Sequence, residues 1–344
     1  MKLKVVHDER HVLHKDKWGL HVERPERLLF PLSVLQEQVF ADLVEWRKAS
    51  HPQESSLLGV HDKHFINFIK EESEKGFHYL DPDTYITEHT YEVALSFATS
   101  AREAARDSLE TKDPWLVLPR PPGHHSGRRG WAMGAPTLGF CIFNHAAVAA
   151  RELLNLGLKV LMLDFDAHHG NGTQDIFWEE PEVLHIDIHQ SGIYPGTGQI
   201  NDLGGGEAEG TKVNIPLTSG SGDERIAWSV EHIIKPLAEL FKPDAIVVSA
   251  GFDGYVGEPI TTLSITEIGY KILGETVREL WTFSRERALV IVLEGGYEEG
   301  LRNGFRSFLE GFLRVGEEVR TKPYMDSRTA ELLMNTLKKY WNLK

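Results

Sequence analysis

Two aspartates, two histidines and two glycines fall within residues 164–172, where Asp-Phe-Asp-Ala-His-His-Gly-Asn-Gly follows the apolar run Val-Leu-Met-Leu of 160–163. Successive side chains of an extended strand alternate between faces, so Asp164, Asp166 and His168 share one side while Phe165 and Ala167 take the other. Two carboxylates and an imidazole along one edge have the spacing of metal ligands. The plainer reading makes Asp164 a helix cap and the histidines loop surface; the density of ligand types in so short a stretch weighs against it. A second candidate is the pair His124 and His125, which follows Arg120-Pro-Pro-Gly. Adjacent prolines stiffen that approach, and Gly123 lets the backbone pass close to a neighbour, so the imidazoles are presented from a rigid loop.

These residues need a scaffold that brings distant segments together, and the hydrophobic pattern describes one. Gly170 and Gly172 end the apolar run, leaving the polar residues at the C-terminal end of a strand, where ligands bind in open α/β sheets. Further strands are expected at 3–7, 115–118, 183–188, 212–215, 245–249 and 289–293. Helices are expected after Pro25, at 63–75 and 91–109, from 139 to about 156, and at 223–241 and 266–281. Strands alternating with helices of this length indicate parallel βαβ units in one open sheet with helices on both faces. Three strands lead into glycine-rich turns, at Ile188-His-Gln-Ser-Gly-Ile-Tyr, Ser249-Ala-Gly-Phe-Asp-Gly and Leu293-Glu-Gly-Gly-Tyr. Each is ordinary alone. On a shared rim, Asp253 can complete the ligand set of Asp166 and His168, and Tyr297 can supply a phenolic donor. The segment 80–85 reads as a turn-rich loop. His11, His14 and His21 lack convergent carboxylates and read as solvent-exposed loop.

Composition narrows the function classes. No linker, repeat or low-complexity tract divides the 344 residues, so one α/β domain over 1–344 is expected. No run approaches the roughly 18 apolar residues of a membrane span, and the N-terminal Met-Lys-Leu-Lys-Val-Val-His-Asp holds no signal-peptide stretch. A cytoplasmic protein without a membrane partner is expected. The single cysteine, Cys141, excludes an intrachain disulfide and a Cys-rich zinc site. A net charge of −14 argues against direct nucleic-acid binding and modestly favours cationic substrates.

Five motifs, in order, carry a family resemblance: Arg-Pro-Pro-Gly-His-His at 120–125, Gly-Phe-Cys-Ile-Phe-Asn at 139–144, Asp-Phe-Asp-Ala-His-His-Gly-Asn-Gly-Thr-Gln at 164–174, Ala-Gly-Phe-Asp at 250–253 and Glu-Gly-Gly-Tyr at 294–297. Together they resemble the arginase/deacetylase superfamily, and within it class II histone deacetylases and their bacterial relatives. The resemblance covers about 25–312. It implies zinc held by Asp166, His168 and Asp253, with iron(II) or cobalt fitting the same donors; two carboxylates and one imidazole leave such an ion Lewis acidic, with a position open. It implies His125 as the general base that takes a proton from the attacking water, His124 as its electrostatic partner, oriented by Asp164, and Asn171 as the group orienting His125. Asp164, main-chain carbonyls around Asp166 and His168, Asp187 and Ile188 match a structural potassium site.

Tyr297 matches the donor to the developing oxyanion, and its Gly295-Gly296 pair reads as giving its loop freedom to swing with ligand. Gly139, Phe140 and Tyr194 match the walls of an acyl-lysine tunnel, Asp83 a rim acid on a poorly anchored loop, and Arg27 a residue beneath the site where acetate leaves. The implied activity is hydrolysis of an N-acetyl-lysine side chain, on a peptide or a small acetylated amine, by an enzyme that can be a homo-oligomer. Acetylpolyamines are the runner-up substrate. Ile260 stands where the polyamine-specific eukaryotic relative has an acidic gatekeeper, which disfavours them, whereas the 8–23 loop could build a narrow dimer channel. An arginase-like ureohydrolase would need further carboxylates for a second manganese, and a non-catalytic acyl-binding protein would not need the full set of metal, dyad and tyrosine positions.

Overall fold

The computed structural model describes residues 2–285 and 287–343. The strands are β1 (Leu3–His7), β2 (Val44–Lys48), β3 (His78–Asp81), β4 (Thr84–Ile86), β5 (Trp115–Val117), β6 (Val160–Asp164), β7 (Val183–Gln190), β8 (Lys212–Leu217), β9 (Ala245–Ala250) and β10 (Ala288–Leu293). Eight form one sheet in the order β2-β1-β5-β10-β9-β6-β7-β8, with every neighbouring pair parallel. A parallel sheet covered on both faces has strands apolar at nearly every position, and the central strands obey this. Leu161, Leu163, Ile246, Val248, Leu289 and Ile291 belong to one core, with residues of the helices Glu267–Phe283 and Phe305–Leu313. Val160, Met162, Ala245, Val247, Val290 and Val292 belong to the other, with the helices Thr90–Thr111 and His145–Asn155. The period-2 alternation therefore continues to the rim: Phe165 and Ala167 join the first core, leaving Asp164, Asp166 and His168 for the opposite side.

The departures from expectation have local causes. The helix expected from 139 starts at His145, because Asn144 caps it by accepting from the amide of Ala147, and Gly139 and Phe140 both adopt positive φ, which no helix tolerates. The 80–85 segment is not a loop: it holds the facing ends of β3 and β4 and the two-residue turn between them, where Asp81 accepts from the amides of Asp83 and Thr84. The 223–241 helix is interrupted by a π turn at Val230–Ile234. Edge strand β2 buries only Val44, so it carried no hydrophobic period to read. His11 and His14 are 5% and 1% exposed, not solvent-facing, since the Arg120 guanidinium donates to both of their carbonyls and draws the loop inward. Among the described residues no helix is long and apolar enough to cross a membrane.

Candidate active site

Two neighbouring parallel strands deliver the ligand candidates, and a third holds them in place. Beyond β6, Asp164 accepts the amide of Asp166 at 3.0 Å, and Asp166 accepts the amide of His168 at 2.9 Å, so the chain turns with each carboxylate held by a following N–H. From the turn after β9, Asp253 accepts the amide of Ala167 at 2.9 Å, and beyond β10 the Gly295 amide donates to Asp166 at 2.7 Å. The His168 Nδ1 lies 2.8 Å from Asp253 and 3.2 Å from Asp166. Ligand atoms of Asp166, His168 and Asp253 all lie within 4.8 Å of one another, and all three residues are buried. Gly251 and Gly295 permit this convergence: a Cβ at either would meet an oxygen of Asp166 at 2.2 and 2.5 Å.

The electrostatics of the cluster call for a cation. Burial depresses the proton affinity of His168, yet the Asp253 and Asp166 carboxylates outweigh it and push its pKa up to about 9. The carboxylates thus hold positive charge where a metal would carry more of it. Two carboxylates and an imidazole without thiolate suit zinc, iron(II) or cobalt, and three protein ligands leave positions open.

The adjacent histidines are driven in opposite directions. Burial disfavours a charged His124, but Asp164 and Asp166 overcome it and hold its pKa well above the ordinary value; its Nδ1 lies 3.0 Å from Asp164. His125, 4.0 Å away ring to ring, is pushed well below the ordinary value by burial and then by the charges of His124 and His168. Its Nδ1 donates to the Asn171 side-chain oxygen at 2.8 Å, while the Asn171 amide nitrogen donates to the Ala132 carbonyl at 3.0 Å. That arrangement leaves His125 Nε2 as a free acceptor, the state a general base requires.

A cavity of about 210 Å³ reaches these groups, lined by His124, His125, Asp166 and His168 below and by Gly139, Phe140, Tyr194, Ile260 and Tyr297 along its walls. Tyr194 donates to the Thr137 carbonyl at 2.9 Å and sets its ring edge against His125 at 4.9 Å. Cys141, which the motif reading left without a role, also lines this space. Asp83 stands in the lining too, and its loop is firmly tied: its two oxygens accept from Thr137 at 2.6 Å and Thr84 at 3.0 Å, and neighbouring Asp81 accepts the Leu138 amide at 2.8 Å. Arg27 does not line the cavity. It lies behind it, donating to the Gly296 and Glu294 carbonyls with its guanidinium 5.0 Å from the Tyr297 ring centroid.

A second buried group joins Asp164 and Asp187 to His185, a residue the motif reading did not single out. Asp187 accepts from His189 at 2.6 Å and from the Gly170 amide at 2.8 Å, whereas neither ring nitrogen of His185 has a hydrogen-bond partner. Ile188 alternates to the opposite face and puts its side chain in the core, so only its main chain is available to this group.

Comparison with known proteins bears on this geometry. A family model described as the histone deacetylase domain matches residues 21–311. An uncharacterized protein of Methanocaldococcus jannaschii is 41% identical over 90% of this chain and 87% of its own length. A protein described as a probable deacetylase in Archaeoglobus fulgidus is 38% identical, over 85% of this chain and 80% of its own. Among solved structures, the crystal structure of the HDA15 HD domain superposes with a TM-score of 0.89 at 31% identity, covering 99% of this chain and 96% of that one.

Proposed function

The chain belongs to the histone deacetylase family, with that family's arginase/deacetylase-type fold, and from this premise we propose that it is a metal-dependent deacylase that hydrolyses N-acetyl-lysine side chains. The observation that carries the proposal is the convergence of Asp166, His168 and Asp253 beside a neutral His125 whose Nε2 is free. Zinc held by those three residues would polarise the acyl carbonyl and make the attacking water more acidic.

The chain's own groups supply the rest. His125 takes the proton from water as it attacks and returns it to the departing amine. His124, held cationic by Asp164, stabilises negative charge building beside it. The Tyr297 hydroxyl donates to the carbonyl oxygen as that oxygen gains charge. Gly139, Phe140 and Tyr194 enclose the apolar lysine stem, and Asp83 at the lining accepts from substrate backbone. Arg27 serves from behind, fixing the main chain of 294–296. Asp164, the main-chain carbonyls around Asp166 and His168, Asp187 and the Ile188 main chain would hold a potassium ion, which would keep the Asp164–His124 pair in place. Acetylpolyamines are the competing substrate class, and the cavity wall meets them with Ile260 instead of a carboxylate.

The test is kcat/KM on acetyl-lysine peptides, longer acyl-lysines and acetylpolyamines, measured before and after chelation and again after adding zinc. Acetyl-lysine turnover that disappears with the metal and returns with it is expected. Undiminished turnover by metal-free protein refutes the mechanism, and preference for acetylpolyamines replaces the substrate.

A further inference from the structure

Tyr297 follows two glycines, a pair that leaves a loop free to swing, yet the loop is gripped from both sides. Arg27 holds the Gly296 carbonyl at 2.8 Å and Asp166 holds the Gly295 amide at 2.7 Å. On the far side a single carboxylate collects the amides that follow. Glu258, 5% exposed, accepts from Tyr297 N at 2.8 Å, Glu298 N at 3.0 Å and Gly300 N at 2.7 Å. These amides lead into the helical run of 300–313, whose first N–H groups have no partner within the helix and whose N-terminus attracts negative charge.

Glu258 is not part of the Tyr297 loop. It belongs to the connection after β9 that carries Asp253, and two residues further on is Ile260, a wall of the cavity. Thr261 on the same connection donates back to the Asp253 carbonyl. One loop therefore carries a candidate metal ligand, a cavity wall and the anchor of the tyrosine.

We propose that Glu258 is the positioning residue for Tyr297, setting the reach of its hydroxyl into the cavity through the main chain of 297–300; this rests on the reading of Tyr297 as the oxyanion donor. A carboxylate that only capped a helix would affect stability. One that places the hydroxyl affects the chemical step, and acts through Tyr297 alone.

A double-mutant cycle on the metal-loaded enzyme separates the two. Tyr297→Phe is expected to lower kcat on acetyl-lysine peptide by about 10²- to 10³-fold, and less on trifluoroacetyl-lysine, whose more electrophilic carbonyl needs less help. Glu258→Gln keeps the shape but turns an amide N–H₂ toward backbone donors, and is expected to lower kcat by about 10- to 100-fold, the scale of a 1 Å misplacement. KM and metal content should hold, and the trifluoroacetyl substrate should again be spared. In the Tyr297→Phe background, Glu258→Gln should cost no more than about twofold further. Glu258→Asp, which keeps the charge with a shorter reach, should recover part of kcat, and it runs the same cycle if the glutamine variant does not fold. Additive losses, equal losses on both substrates, or an unchanged kcat with a lowered Tm overturn the proposal. A Tyr297→Phe enzyme with full acetyl-lysine turnover would instead overturn the oxyanion role itself.

Discussion

Two clusters of buried ionisable groups lie on either side of the Tyr297 loop, and they solve the problem of buried charge differently. In the one behind the loop, Glu23 and Arg120 are both fully buried and joined by two contacts, at 2.5 and 2.7 Å. Arg27 stands 3.4 Å from the same carboxylate, the Tyr85 hydroxyl donates to it, and Arg120 also donates to the carbonyls of His11 and His14. No side-chain atom of Glu23, Arg27 or Arg120 is left without a partner. In the cluster before the loop, Asp166 and Asp253 converge on the single imidazole of His168, with no arginine or lysine among them, and the group faces a cavity. Burial and charge are common to both. What distinguishes a reactive site is incomplete compensation next to open space.

The largest expected effect breaks the reactive side. His125→Ala should lower kcat on acetyl-lysine by about 10²- to 10⁴-fold, the range of a lost general base, with peptide affinity nearly kept. A Kd that weakens in step with kcat would show that His125 holds the pocket together and that the two clusters are alike. On the saturated side, Glu23→Gln removes the one anion between two guanidinium groups. It should cost about 3–5 kcal/mol of stability, as breaking a buried pair does, read as a lower denaturant midpoint. Loss of kcat at an unchanged midpoint would move Glu23 into the reactive class.

The effect that is smallest at neutral pH grows as pH falls. Burial, with Arg120 nearby, lowers His14 to about 3 from 6.5, outweighing the pull of Glu23. The folded state then binds fewer protons than the unfolded chain between those values. Stability from this group is full above pH 6.5 and lost as pH falls toward 3, by at most about 1.4 kcal/mol per pH unit. His14→Gln should flatten the decline of Tm over that window, and an identical slope in the variant would mean that His14 is not a neutral member of the saturated cluster.

Much of the site was legible because its signals are local. Asp164, Asp166 and His168 are two residues apart, and a period of two sends them to one side whatever surrounds the strand. Asp253 and Tyr297 followed because parallel strands end on one rim, so the β9 and β10 turns had to meet the β6 turn. Asn171 accepts from His125, and Phe140 lines the cavity.

The rest depended on which distant segments came into contact. His11 and His14 look like surface in a Lys-rich loop, and become core only because Arg120, more than a hundred residues away along the chain, takes their carbonyls. Asp83 looks untethered until Thr137 reaches its carboxylate. A glycine pair announces freedom, and no local pattern says that Glu258 and Arg27 take that freedom away. Side-chain periodicity and glycine turns are properties of a few consecutive residues, so the sequence by itself determined the central strands, their shared rim and the candidate ligands upon it. Charge compensation and main-chain capture join residues far apart along the chain, so the tertiary structure alone decided which buried charges are neutralised and how Tyr297 is held.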